Sequence, residues 1–290
     1  MTKTALPALI CSLPLLQAGS LEWKDHKDGR VELLEGGKTA LVYNYGPQLK
    51  EGVPENRRRC CYLFPVLTPG GVSMLDDFPK DHYHHRGVFW AWPVVETGGQ
   101  KLDSWMFPNL QNRFEKWVVP PSAKKNATLT VENGWYAGDH RIVKETVKLT
   151  AYPSKGPKRE FDVELRLEAT GEAVTLRGSA EQRKSYGGFS ARFAPRQQTS
   201  ILADTGAVTK DEDLVPHAWA ELSALYGGSR ATLRITPDPK NNGAPYQWCL
   251  RPYGFVGASF PGRTETVTGY TLEPGKPLTL KFRVTASDVN

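Results

Sequence analysis

The sequence is dominated by short stretches in which apolar and polar residues alternate. The clearest runs from Phe161 to Glu168, where Phe161, Val163, Leu165 and Leu167 alternate with charged residues. A period of two is typical of a β-strand with one face buried and one exposed. The same pattern recurs at Leu278, Leu280, Phe282 and Val284, at Ala231, Leu233 and Ile235, at Val143, Val147 and Leu149, and at Leu41, Tyr43 and Tyr45.

Turn-forming residues separate these stretches, and no helix-length amphipathic segment lies between them. The chain has 27 Gly and 22 Pro in 290 residues, which disfavours long helices. The best helical candidate, 217–226, covers about three turns at most. Strands without crossover helices predict an all-β fold, a large antiparallel β-sandwich with few or no helices, as a single domain over residues 21–290.

Charge and hydropathy exclude two classes of function. The net charge of +6 is spread along the chain rather than gathered in a basic stripe, so nucleic acid is not expected as a partner. No run approaches the roughly 20 apolar residues that a membrane-spanning helix requires, so no membrane span is expected. The chain is instead rich in aromatic residues, with 8 Trp, 11 Tyr and 11 Phe.

The first twenty residues have the zones of a secretory signal peptide. Lys3 precedes an apolar stretch at 5–16, and the small residues 18–20 fit a cleavage site. We therefore expect residues 1–20 to be a signal peptide and the protein to be periplasmic or secreted. Its removal leaves Cys60, Cys61 and Cys249, for which either one bridge from Cys249 to a neighbour or three buried thiols would fit.

The chemistry is concentrated in residues 81–87, Asp-His-Tyr-His-His-Arg-Gly. If this segment is extended, His82, His84 and Arg86 project to one face, and Asp81 and His85 to the other. Histidines at i and i+2 are a common metal-ligand spacing, so a divalent metal ion held by His82, His84 and His85 is one interpretation. Acid/base catalysis by these imidazoles is the other, and mutual hydrogen bonding without a function is the structural alternative.

Aromatic and cationic residues cluster at three further places. Asp103 and Trp105 follow a Gly-Gly turn, Tyr186 precedes Arg192, and Trp248 precedes Arg251 and Tyr253. Sugar rings stack on aromatic faces, while their hydroxyl and carboxylate groups accept hydrogen bonds from Arg and His. The pattern favours a carbohydrate ligand. We assign His82, His84, His85 and Asp103 as candidate catalytic residues and the following as candidate substrate-binding residues: Arg86, Trp105, Tyr186, Arg192, Trp248, Arg251 and Tyr253.

At these motifs the chain resembles the bacterial PmoA-like family. The family pattern D-H-x-H-H-R-G is matched by residues 81–87, its D-x-W by 103–105, its Y-G-G by 186–188 and its P-x-x-W-x-x-R-x-Y-G by 245–254. The family label refers to a methane oxygenase subunit, but a membrane-embedded subunit needs long apolar helices, which this sequence lacks. The resemblance instead implies an exported protein from bacteria rich in polysaccharide-degrading systems, encoded near sugar oxidoreductases.

Two hypotheses of function follow, with a third, copper binding, suggested by the histidine pair. The first is an exported enzyme acting on a glycoside or an oxidised sugar by hydrolysis, elimination or epimerisation. Hydrolases ordinarily use two carboxylates, and only Asp81 and Asp103 are near the motif, so the sequence favours elimination or epimerisation at least as much as direct hydrolysis. The second is a non-catalytic carbohydrate-binding sandwich. No oligomeric state is predicted.

Overall fold

The computed structural model describes residues 19–179, 184, 186–262 and 269–289. Antiparallel strands account for most of them, together with one short 3-10 turn, Glu55–Arg57. The strands are β1 (Leu21–Asp25), β2 (Arg30–Glu35), β3 (Lys38–Asn44), β4 (Tyr62–Val66), β5 (Val88–Ala91), β6 (Val94–Thr97), β7 (Gln100–Leu102), β8 (Gln111–Ala123), β9 (Ala127–Ala137), β10 (His140–Ala151), β11 (Lys158–Ala169), β12 (Val174–Arg177), β13 (Gly188–Arg192), β14 (Gln197–Ala203), β15 (Gly206–Val208), β16 (Glu212–His217), β17 (Ala220–Tyr226), β18 (Ser229–Pro237), β19 (Tyr246–Arg251), β20 (Phe255–Ser259), β21 (Tyr270–Leu272) and β22 (Leu278–Asp288).

The strands form two large sheets and one small one. The first sheet has the order β1-β2-β3-β4-β5-β13-β20-β19-β16, and the second has the order β15-β14-β17-β18-β22-β11-β10-β9-β8. A four-stranded sheet, β21-β12-β6-β7, completes the fold. Buried apolar residues of all three sheets belong to one core cluster. The predicted all-β sandwich is confirmed, and no helix in the described residues is long and apolar enough to cross a membrane.

The alternating stretches become neighbouring strands of the second sheet. In β11 the residues at odd positions from 159 to 169 are buried and those between them face solvent. β11 pairs with β22 so that Val163 lies opposite Phe282 and Leu165 lies opposite Leu280. Because apolar residues face each other across the pair, the buried face of one strand continues that of the next.

Residues 217–226, the best helical candidate, fold as a strand instead. β17 buries every second residue from Ala220 to Tyr226 and pairs with β18. Over so short a run the apolar residues fit both the helical period of 3.6 and the strand period of two. The strand forms because β18 pairs with it and buries residues on the same face.

A buried carboxyl group connects the two large sheets. Glu145, on β10, accepts hydrogen bonds from Nε1 of Trp90 on β5 at 2.8 Å, from Nε1 of Trp135 on β9 at 3.0 Å and from Nδ2 of Asn133 at 2.8 Å. Burial raises the pKa of Glu145, and these three donors act against that rise. The contact with Trp90 ties β5, the strand that follows the histidine segment, to the opposite sheet.

The three cysteines among the described residues, Cys60, Cys61 and Cys249, are buried as free thiols, so the alternative of a bridge from Cys249 is wrong. Cys249 lies within β19, whereas Cys60 and Cys61 immediately precede β4. The expected signal peptide at 1–20 falls almost wholly outside the described residues, which begin at Gly19.

Candidate functional site

The histidine segment is a turn rather than an extended strand. The backbone N–H of His82 donates to the carbonyl of Pro79 at 3.0 Å, and that of His85 donates to the carbonyl of His82 at 2.9 Å. A turn does not alternate its side chains, so the predicted division into two faces is wrong. The turn brings His82, His84 and His85 together and places Arg86 elsewhere.

The three imidazoles pack against one another and against Tyr253. The ring of His82 lies between those of His85, at 4.7 Å and 6°, and Tyr253, at 5.7 Å and 5°, so the three rings are stacked in parallel. His84 meets His85 edge to face, with ring centroids 4.4 Å apart. His85 is only 3% exposed, so it forms the inner end of the stack.

This packing does not suit the metal site predicted from the spacing. Parallel stacked rings present their faces to each other, whereas imidazole ligands direct nitrogen lone pairs at a common point. Among the residues that the structure describes, no group of three or more His, Cys, Asp or Glu side chains is arranged to hold a metal ion. The interpretations as a divalent metal centre or a copper site are therefore not supported.

His82 has a carboxylate partner. Its Nδ1 lies 2.9 Å from Oδ2 of Asp81, at ion-pair distance. Nη2 of Arg192 in turn donates to both carboxylate oxygens of Asp81, at 2.8 and 2.7 Å. Burial tends to raise the pKa of Asp81, but the hydrogen bonds from Arg192 and the contact with His82 outweigh it, so the pKa lies below its usual value. Asp81 is thus ionised beside an imidazole.

The other two imidazoles are held neutral. Burial, together with the charges of His82 and Arg57, lowers the pKa of His84 to about 3. Burial also lowers the pKa of His85 well below its usual value, with the neighbouring histidines adding to the effect. At neutral pH each of these two rings therefore offers one N–H donor and one acceptor nitrogen.

The histidines form one wall of a cavity of about 430 Å³. A cavity of this volume is in the range of small-molecule sites. It brings together seven of the predicted residues, His82, His84, His85, Trp105, Tyr186, Arg251 and Tyr253, and adds Met106, Lys184, Asp211, Cys249 and Phe255. Phe255 and Cys249 pack with Trp105 in a small apolar cluster beneath the cavity.

The sequence contains little that would predict the cavity residues outside the eleven candidates. Asp211 begins an acidic run that is typical of a solvated loop, and its carboxylate lies 3.5 Å from Nε of Arg251. Lys184 and Met106 stand in no motif. They come to the cavity because the chain segments before β13 and after β7 end beside the histidine turn.

The guanidinium of Arg251, on β19, is held in place by residues of the neighbouring strand β16. Its Nη2 donates to Oδ1 of Asp213 at 2.6 Å, and its Nη1 donates to the carbonyl of Glu212 at 2.9 Å. β16 and β19 are paired, so these contacts hold the guanidinium against the sheet edge. An arginine held in this way presents a pre-oriented cation to a ligand oxygen.

Four predicted site residues do not line the cavity, and two of them support it. Asp103 accepts hydrogen bonds from the backbone N–H groups of Trp105, at 2.6 Å, and Met106, at 2.9 Å. It fixes the loop that presents Trp105 instead of contacting an imidazole. Arg192 is buried and acts through Asp81, as described above.

The other two belong to the interior. Arg86 is fully buried, stacks over Phe78 at 3.5 Å and donates from Nη1 to the carbonyls of Tyr83 and His85, each at 2.7 Å. Trp248 is also fully buried and donates from Nε1 to the carbonyl of His217 at 2.8 Å. Neither side chain has a surface for a ligand, so their assignment to substrate binding is wrong. Both are structural.

A second cavity, of about 450 Å³, lies over β10, β11, β18 and β22 of the second sheet. Four of its six charged residues pair with one another: Arg283 donates to Asp162 at 2.7 and 2.9 Å, and Lys281 lies 3.3 Å from Glu164. We place the candidate site in the histidine cavity because it combines aromatic walls with titratable groups whose pKa values are strongly shifted.

Comparison with known proteins identifies a family but no described relative. A model described as a family of unknown function (DUF6807) matches residues 30–290. No curated protein matches the sequence.

Two solved structures are similar at low scores. A heparinase III has 11% identity and a TM-score of 0.36 over 98% of this chain and 36% of its own, so this chain spans about a third of its length. A GalM/aldose epimerase homologue from C. elegans has 11% identity and a TM-score of 0.39, over 94% of this chain and 100% of its own.

Proposed function

The chain belongs to DUF6807, a family of unknown function, and we propose that it is an enzyme that transfers a proton on a glycoside or an oxidised sugar bound in the histidine cavity. The observation that carries this proposal is the position of His82. Its imidazole lines the cavity, stacks between His85 and Tyr253, and has its Nδ1 at 2.9 Å from an ionised Asp81.

This arrangement suits a general acid/base. Nδ1 and Oδ2 of Asp81 are at ion-pair distance without the alignment of a hydrogen bond, and the negative charge there favours a proton on Nδ1, which leaves Nε2 as the basic atom. The same carboxylate stabilises the imidazolium that forms when Nε2 takes a proton. Arg192 keeps Asp81 ionised and in place, and the rings of His85 and Tyr253 stack on that of His82.

The cavity is suited to a sugar-sized polar ligand. Tyr253, which is 46% exposed, and Tyr186, which packs on the buried Trp105 with ring centroids 4.9 Å apart, provide apolar surface for the face of a pyranose ring. Lys184 and Arg251 supply cations for carboxylate, keto or hydroxyl oxygens. Neutral His84 and His85 add donors and acceptors for hydroxyl groups.

The distribution of carboxylates favours elimination or epimerisation over hydrolysis. A glycosidase uses two carboxyl groups about 5 to 9.5 Å apart across the bond that is broken. Among the described residues that line this cavity, Asp211 is the single carboxylate, and it faces Arg251. Removal of a proton next to a carbonyl needs one base and a cation for the developing oxyanion, which His82 with Arg251 or Lys184 can supply.

Proton exchange with solvent tests this proposal directly. The purified protein is incubated in D2O with a panel of keto-sugars, uronates and intact glycosides, and deuterium incorporation next to the carbonyl is followed by NMR. We expect incorporation or product formation with at least one oxidised sugar, abolished in His82→Gln and retained in His140→Gln, whose histidine is exposed on β10. Hydrolysis of an unoxidised glycoside without exchange would contradict the preference for elimination or epimerisation, and no reaction with any member of the panel would contradict the proposal as a whole.

A non-catalytic carbohydrate-binding protein is the second candidate. It is favoured by one observation, the neutral state of His84 and His85, because imidazoles with so low a pKa bind by hydrogen bonds better than they accept protons. Calorimetric binding of a sugar without exchange, elimination or hydrolysis in the same panel would establish this alternative. Export and the resemblance to PmoA-like proteins remain predictions.

A further inference from the structure

Two adjacent cysteines lie almost within bonding distance of each other. Sγ of Cys60 and Sγ of Cys61 are 2.9 Å apart, and each residue is 1% exposed. A covalent S–S bond measures about 2.05 Å, so the sulfurs would need to approach by about 0.9 Å to be joined.

The backbone accounts for this proximity. Neighbouring side chains of a regular strand point to opposite faces, which would separate two adjacent sulfurs. Cys61, however, has a φ of 65°, in the left-handed region that residues with a Cβ seldom adopt, and its N–H donates to the carbonyl of Asn44 at 2.6 Å. The irregular conformation just before β4 brings both thiols to one side.

We propose that Cys60 and Cys61 are a modification site at which a vicinal disulfide forms. A low-molecular-weight disulfide such as oxidised glutathione is the oxidant. The thiolate of one cysteine attacks it, giving a mixed disulfide and one thiol; the second thiolate then attacks the protein sulfur and releases the other thiol. The two cysteines lose two protons and two electrons, and one external disulfide is reduced to two thiols.

The disulfide would stiffen a segment that holds one wall of the cavity. Nη2 of Arg59 donates to the carbonyl of Trp90 at 2.8 Å, and Nη1 of Arg57 donates to the carbonyl of Met106 at 2.7 Å. The segment 57–61 therefore holds both β5 and a wall of the histidine cavity. A ring closed between adjacent residues constrains little of the unfolded chain, so its effect is local stiffening of this segment. This inference does not depend on the proposed activity.

Refolding under controlled redox conditions tests the proposal. The full chain is unfolded under reducing conditions and refolded with a mixture of oxidised and reduced glutathione, because both thiols are buried in the folded state. We expect an intact mass lower by two hydrogens than that of the reduced protein. A non-reduced digest should contain one peptide with both cysteines linked and protected from alkylation after denaturation.

Two variants assign the bond. Cys60→Ser should remove the mass loss, whereas the double variant Cys11→Ser, Cys249→Ser should retain it. Alkylation of both Cys60 and Cys61, a persistent mixed disulfide with glutathione, or a link to Cys11 or Cys249 in the digest of the unmodified chain would each overturn the proposal. The digest decides even if a variant does not fold.

Discussion

Nδ1 of His82 lies 2.9 Å from Oδ2 of Asp81, and the imidazole of His82 lines a cavity with aromatic walls. Asp81 is itself held by Arg192, so imidazole, carboxylate and guanidinium form a chain from the cavity to the buried end of β13. The role of each group in this chain can be separated by substitution.

Replacement of the imidazole should abolish proton transfer and spare binding. In His82→Gln we expect kcat to fall by about 10²- to 10⁴-fold, the usual contribution of a general acid/base. The dissociation constant for the same sugar should change only a few-fold, because Gln retains a polar side chain at the cavity. Parallel kinetics and calorimetry on His82→Gln and His140→Gln make the comparison; equal losses in both variants would refute the role of His82.

Removal of the cation behind Asp81 should shift the acid side of the pH profile. Burial alone would raise the pKa of Asp81, but Arg192 and His82 bring it below its usual value of 3.8. The charge of Asp81 is therefore complete above pH 3.8 and is lost as the pH falls through its lower pKa in the folded protein. In Arg192→Met the pKa of Asp81 should rise, and the acid limb of kcat/KM should move to higher pH. Arg234→Met, which removes a surface pair with Glu221, is the control and should leave the limb in place.

Asp77 should make stability depend on pH in the opposite sense. Burial raises its pKa to about 6, although Arg86 and the hydroxyl of Tyr62 act against the rise. The stability linked to its neutral form is complete below 3.8 and is lost as the pH rises through about 6. Asp77→Asn should therefore gain stability relative to the native protein between pH 4 and 7, by on the order of 3 kcal/mol. Urea unfolding at several pH values measures this, and a constant difference would contradict it.

His84 should cause a loss of stability in acid. Burial and nearby positive charges lower its pKa to about 3, from 6.5. The stability that follows from a neutral folded imidazole is present above pH 6.5 and is lost as the pH falls through about 3. The His84→Gln variant should therefore unfold less steeply with acid than the native protein. Thermal melting between pH 7 and 4 tests this, with His140→Gln as the variant that should follow the native curve.

Tyr253 and Trp248 should separate ligand binding from folding. Tyr253 is 46% exposed and stacks on His82, so Tyr253→Ala should weaken sugar binding roughly tenfold with little change in melting temperature. Trp248 is fully buried and its Nε1 satisfies the carbonyl of His217, so Trp248→Phe should lower stability by about 1 to 3 kcal/mol and leave affinity unchanged. Weakened binding by Trp248→Phe would restore its predicted place in the site.

Most of the strands could be predicted because their alternation is local. The pattern of β11 and of β22 is visible in eight residues, and the pairing of the two strands matches their buried faces. Residues 217–226 were ambiguous because a short run fits two periods, and only the partner strand β18 decides between them.

The sequence predicts which residues belong to the site better than it predicts how they are arranged. Aromatic and cationic residues near the histidines were identified from the sequence, but which of them are accessible depends on strand packing that no local pattern encodes. Trp105 and Trp248 stand in similar motifs, yet one lines the cavity and the other lies in the core. The turn at 81–87 is not predicted because three histidines and an arginine carry no strong turn signal, and one of the two hydrogen bonds that close it is accepted by Pro79, which precedes the motif.

The hydrogen bonds of Glu145 bear on how this protein could change over evolution or be redesigned. One carboxyl group serves Trp90 from one sheet and Trp135 from the other, so neither tryptophan can be exchanged for a purely apolar residue without removing a partner from the shared acceptor. β5 begins directly after the histidine turn. A transplant of the cavity loops onto another sandwich would therefore need to carry this acid and its indoles as a unit, because Trp90 lies on the strand that follows the histidine turn and needs Glu145 as its acceptor.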